Sequence, residues 1–264
     1  MKCFFVKCLF ILFLTSCSTS SVLMQSILGE EGLTEDEVVR GLKTALNIGT
    51  DKAVNLVSKP DGYLGDMAIK ILIPPEFNQA LDKLRNAPGG EQLYRSTISP
   101  IVDDLVIALN RSASDAAREA APIFKNAITG MSIQDGWAIL KGDYRNSGDI
   151  SATIYFKDKT QQDLQNLFQP KINASLDKPL VGNTSANRLW DSSIKAYNAI
   201  LNSPANLLMK LEPIKDPDLT SYATRKAIDG LFLKIADEER EIRDDPYKYA
   251  NSLIEKVFGN NAAG

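Results

Sequence analysis

The feature that most limits the fold is a helical period that begins at residue 34 and recurs almost to the carboxyl end. Thr34-Glu35-Asp36-Glu37 is a capping box, in which the Thr34 hydroxyl and the Glu37 carboxylate each satisfy an amide that the first turn leaves free. Val38, Leu42, Ala45, Leu46, Ala53 and Val57 then recur at three- and four-residue steps until Pro60 stops the helix. Gly49 weakens such a helix by about 1 kcal/mol relative to alanine, so it marks either a division or a close packing contact. Pro60-Asp61-Gly62 is a turn signal. Met67 to Ile73, closed by Pro74-Pro75, is the one good strand candidate. A lone strand needs a partner, so an apolar connector laid over the helices is expected there, with or without a small ribbon.

Helical segments are expected at about residues 75–86, 99–120 and 122–130. Ser132 and Asp135 cap another that ends near Leu140, and Asp149 caps a short one reaching about Lys157. Thr160 with Asp163 opens a further helix through Pro170 to about Lys178. Residues 185–202 place Trp190, Ile194 and Tyr197 on one face, and 203–217 read as a proline-bounded connector. The last long helix runs from about Leu219 to Arg243 on the stripe Ile228, Leu231, Phe232, Ile235 and Ile242. Pro246 opens a terminal helix ending at Phe258-Gly259. The fold class is therefore all-α, a single helical domain of about 8–10 helices, with a short extended segment near 67–73 as its one possible exception.

The amino-terminal region carries a different signal. Lys2 and Lys7 precede the apolar run Cys8 to Leu14. Seven residues cannot cross roughly 30 Å of hydrocarbon, so the segment reads as an export signal. Leu14-Thr15-Ser16-Cys17 resembles the bacterial lipobox, in which cleavage leaves the cysteine as a lipidated amino terminus. The expected organisation is a signal over 1–16, a lipidated tether over 17–32, the helical domain over 33–259 and a disordered tail over 260–264. Cys17 would then hold the protein on a membrane, because buried acyl methylenes contribute about 0.8 kcal/mol each. Ser18, rather than aspartate, follows the cysteine. By resemblance to Gram-negative lipoprotein sorting, this points to the outer membrane and its periplasmic face.

What the chain lacks narrows its chemistry. It has no histidine, which removes Ser-His-Asp and Cys-His mechanisms and imidazole metal sites. On this reading its 3 cysteines would leave with the signal or carry lipid, and no phosphate-binding glycine loop is present. The formal charge of −3 becomes −5 once Lys2 and Lys7 leave, a poor balance for nucleic acid. Carboxylate, Lys or Tyr chemistry stays open, but no catalytic residue, metal or cofactor is assigned.

Four stretches then combine: "GLKTALNIGTDKAVNLVSKPDGYL", "LNRSASDAAREAAPIFKNAITGMS", "RKAIDGLFLKIADEEREIRDDP" and "LIEKVFG". Together they resemble a bacterial envelope family catalogued only as a domain of unknown function, number four-one-nine-seven, over roughly residues 33–259. The resemblance implies an exported, mostly helical protein, and no activity, cofactor or catalytic residues. The segments 86–100 and 141–150 look longer than the family pattern.

Within the domain, seven residues stand out as a candidate binding or internal polar site. Asn110 lies on the apolar stripe Val106, Ala113 and Ala117, so it either ties its helix to a neighbouring backbone or faces a pocket. Arg111 with Asp115, and Arg225 with Asp229, are spaced to pair along one helix face, and would mark an internal polar site if turned inward. Asp61 and Tyr63 sit in the turn beside the connector, where ligand contacts often lie. The run 236–245, with charges of both signs, reads as a solvated helix face. The expected function is a membrane-tethered, non-enzymatic module that binds an apolar small molecule, a lipid or an envelope protein. The alternatives are a structural envelope component and a carboxylate-dependent hydrolase or lyase acting on envelope glycans.

Overall fold

The structure, a computed structural model, describes residues 34–181 and 183–259. The export signal, Cys17, the tether and the tail lie outside these residues. Four long helices form the frame: α1 (Glu35–Val57), α4 (Ser99–Ala117), α7 (Ser151–Leu176) and α10 (Leu219–Asp244). Helix α10 is the axis, packing against α7, α1 and α4, while α4 also packs against α7. Around them lie α2 (Pro75–Arg85), α3 (Gly90–Leu93), α5 (Ala121–Thr129), α6 (Ile133–Leu140), α8 (Ala186–Leu201), α9 (Asn206–Met209) and α11 (Ser252–Phe258). Among the described residues the only sheet is a hairpin of β1 (Pro179–Val181) and β2 (Thr184–Ser185). The fold is all-α and a single domain.

Capping chemistry sets the starts. Both capping boxes form, Thr34 with Glu37 and Ser132 with Asp135. The α1 stripe is buried at each of its six positions. Gly49 does not divide α1: a Cβ there would meet Ile242 Cδ1 at 3.1 Å, so glycine permits the close approach to α10. At the centre, Phe124 of α5 meets Phe156 of α7 and Phe232 of α10 edge to face, at 5.5 and 6.2 Å. Such pairs add to plain area burial.

Several sequence expectations need correction. The separate helices at 149–157 and 160–178 are one helix, α7. Thr160 does not cap, because its hydroxyl donates back to the Phe156 carbonyl at 2.6 Å and lies buried within the helix. Asp149 does not cap α7 either, but pairs with Arg240 at 2.9 Å. The ribbon occurs at 179–185, not at 67–73, which runs as turns and then as irregular backbone outside any sheet. The terminal helix is broken: a 3-10 turn (Pro246–Tyr249) ends at Ala250, whose φ is 46°, and Asn251 then caps α11. Residues 94–98 form a π-helical turn between α3 and α4.

Candidate functional site

The connector between α1 and α2 organises the site, and side chains rather than a sheet hold it. Gly62 opens it, since a Cβ there would lie 2.3 Å from the Val57 carbonyl oxygen. Tyr63 is fully buried and donates its hydroxyl to the Ala227 carbonyl at 2.7 Å. Burial pushes that phenol's pKa well above its ordinary value, so it stays a donor. Asn110 is equally buried. Its Oδ1 accepts from the Ile71 N–H at 2.8 Å, while its Nδ2 donates to the Ile71 carbonyl at 2.7 Å and to Val106 O at 2.7 Å. One amide thereby replaces a missing partner strand. From the other side, Tyr222 donates to the Leu72 carbonyl at 2.8 Å, and Lys234 pairs with Asp66 at 2.7 Å. Gly230 lets the connector approach α10, because a Cβ would lie 2.9 Å from Tyr63 Cε1 and 3.1 Å from Ile69 Cβ.

Two cavities adjoin this connector, and Ile73 and Val102 border both. The first is an apolar groove of about 310 Å³. Phe77, Leu81 and Leu84 of α2 form one wall, and Val102 and Leu105 of α4 another. Trp190, Ser193 and Tyr197 of α8, with Met209 and Leu211 beyond it, complete the lining. Phe77 packs on Trp190 and Tyr197, with ring centroids 4.9 and 5.9 Å apart. The polar atoms of both partners point elsewhere: Trp190 donates to Pro217 O at 2.7 Å, and Tyr197 to Glu212 O at 2.6 Å. The groove thus offers hydrocarbon and aromatic faces and almost no hydrogen bonding. Leu207 and Leu208, next in sequence to Met209, are 82% and 90% exposed.

The second cavity is a valley of about 720 Å³ over the connector, between α4 and α10. Its floor is Ala68 to Ile73, which brings Lys70 and Leu72, and its sides carry Asp103 from α4 and Lys226, Asp229 and Leu233 from α10.

The seven candidates therefore part company. Asn110 and Tyr63 are structural clamps of the connector. Arg111 pairs not with Asp115 but with Asp61, at 3.2 Å, because the turn brings Asp61, at φ 58°, over α4. Asp115 pairs instead with Arg118 at 3.1 Å. Arg225 turns to Asp216 in the segment before α10 and lies over the Tyr222 ring, which leaves Asp229 to the valley. Neither helical pair forms, and no internal polar site results from them.

The family-model comparison covers nearly all of the described chain: residues 32–259 match the family described as Protein of unknown function (DUF4197). The chain belongs to this family. No curated protein and no solved structure matches it. DUF4197 carries no stated activity, so the chemistry must be read from side chains. Within this DUF4197 domain, no helix of the described residues is long and apolar enough to cross a membrane. Nor, among those residues, does any group of three or more Cys, Asp or Glu residues suit a metal ion.

A buried polar centre that sequence reasoning missed lies at the other end of α10. Glu239, 6% exposed, accepts from the backbone N–H groups of Ala152 and Thr153 at 2.9 and 2.8 Å and from the Thr153 hydroxyl at 2.9 Å. It thus caps α7 from outside, in the place left by Ile150, which has no capping side chain. Arg243, one turn on, binds Glu239 at 2.8 Å and donates to the Ile139 and Leu140 carbonyls that end α6, at 2.8 and 3.3 Å. The solvated face expected over 236–245 is therefore half wrong. Its inward edge holds two helix ends together.

Proposed function

We propose that this protein is a non-enzymatic module of the bacterial cell envelope, tethered through lipidated Cys17, whose groove holds a hydrocarbon chain of a lipid or lipid-like molecule. The observation that carries the reading is the groove's lining, whose aromatic polar atoms are already bonded within the fold. A polar ligand buried there would lose its water without gaining partners, at a cost of about 1–3 kcal/mol per unmet group, whereas a methylene gains about 0.8 kcal/mol. At about 310 Å³ the groove is at the small end of ligand sites, which suits one chain rather than a bulky ring system. A glycan hydrolase would need a carboxyl raised toward neutrality. Among the described residues, the carboxyls clearly displaced from their ordinary values, Glu37, Asp66 and Glu91, move down, held by hydrogen bonds to Thr34, Lys234 and Arg95 respectively.

Two experiments test this. The purified full chain is titrated with a fluorescent fatty acid, with Ala80→Phe, which fills the groove from α2, as the blocked variant. Saturable binding that weakens at least tenfold in the variant, with the helical circular-dichroism signal unchanged, supports the reading. Equal binding by both proteins contradicts it. Labelled palmitate should enter the wild type and not Cys17→Ser, and equal labelling would remove the anchor.

A further inference from the structure

We infer that the groove and the valley form one amphiphile site, with the valley taking a zwitterionic head group. The inference rests on the reading of the groove as a chain site and adds the class of head group. Its first observation is continuity, since Ile73 and Val102 border both cavities. The second is a contrast in polarity. Where the groove's polar atoms are consumed internally, the valley carries Lys70 and Lys226 together with Asp103 and Asp229.

Among the described residues, none of these four charges is held in an ion pair. Asp103 accepts only a long hydrogen bond from Ser99 at 3.5 Å, and Lys226 lies 6.0 Å from the Tyr222 ring centre. Lys226 and Asp229 are three apart on α10, a spacing that allows pairing, yet they stand separate. Nearby charges on the same elements do pair: Lys234 with Asp66, Arg225 with Asp216 and Arg111 with Asp61. Two cations and two anions around one open cavity complement a ligand that itself carries both signs. A purely anionic head would face Asp103 and Asp229, and a purely cationic one Lys70 and Lys226. An ammonium and a phosphate on one short head satisfy both sets, with Leu72 and Leu233 covering the glycerol portion.

The test holds the chain constant and varies the head. The full chain is titrated with four palmitoyl probes: lysophosphatidylethanolamine, lysophosphatidic acid, palmitoylcholine and monopalmitin. The zwitterion is expected to bind tighter than monopalmitin by roughly twofold to thirtyfold, as two partly exposed ion pairs would give, and tighter than each singly charged probe by up to roughly fivefold, as one would give. Lys70→Glu/Lys226→Glu should weaken both phosphate probes and strengthen palmitoylcholine. Asp103→Asn/Asp229→Asn should weaken the zwitterion and palmitoylcholine relative to lysophosphatidic acid. If all four probes bind alike, or neither double variant changes their order, the head-group inference fails while the chain site stands. If none binds, the groove reading fails and this inference falls with it.

Discussion

The two ends of α10 use charge in opposite ways. Toward its carboxyl end, Glu239 is buried and Arg243 half-buried, and they bond each other and backbone at the start of α7 and the end of α6. Nearer its amino end, Lys226 and Asp229 line the valley and form no ion pair among the described residues. The first arrangement holds three helices in register and commits Glu239 and most of the Arg243 donors to the fold. The second contributes little to the fold and leaves its charges available. Polarity alone does not mark a site in this molecule; polarity that the fold has not already used does.

The largest effect is expected at Glu239. Glu239→Ala leaves Arg243 without its carboxylate and two α7 amides uncapped, and should destabilise the protein by about 3–5 kcal/mol in denaturant unfolding. A matching double substitution in the valley, Lys226→Ala with Asp229→Ala, should shift stability by less than about 0.5 kcal/mol. Comparable losses at both ends would erase the distinction. Asn110→Ala comes next. It orphans the buried N–H and carbonyl of Ile71, which should cost about 2–4 kcal/mol and also weaken chain binding, because Ile73 lines the groove two residues on.

The smallest effect depends on pH. The Lys234 ammonium bonded to Asp66 holds that carboxyl below its ordinary value of 3.8. A depressed folded-state pKa means the contribution is complete above about pH 4 and is lost as pH falls through the lowered value. Wild type should therefore exceed Asp66→Asn by less than about 1 kcal/mol near neutrality. That margin should close on acidification. A margin that widens toward low pH would mean the pair is misassigned.

Much of the frame was legible because it is local. The Thr34 and Ser132 capping boxes and the stripes of α1 and α10 need only neighbours within a turn or two. Asn110 was legible by half: its stripe predicts burial, while its partner Ile71 lies 39 residues away. Glu239 was not legible. Four residues before an arginine on a charged run, it has the pattern of a surface pair, and only the start of α7, 87 residues distant, encloses it. The same reason hides the groove, whose walls come from α2, α4, α8 and the segment after α9. Each wall taken singly is an ordinary apolar stripe. Pairing of Arg111 with Asp115 and of Arg225 with Asp229 failed in the opposite sense, because correct helical spacing lost to Asp61 in a turn and Asp216 in the segment before α10.

The most direct test of the central claim is native mass spectrometry of the full chain, purified gently from bacterial membranes and compared with Ala80→Phe. The wild type should carry an added mass that disappears on denaturation, analyses as a molecule with an acyl chain, and is absent from the variant. A folded wild type with no added mass, which also takes up none of the palmitoyl probes, would contradict that claim.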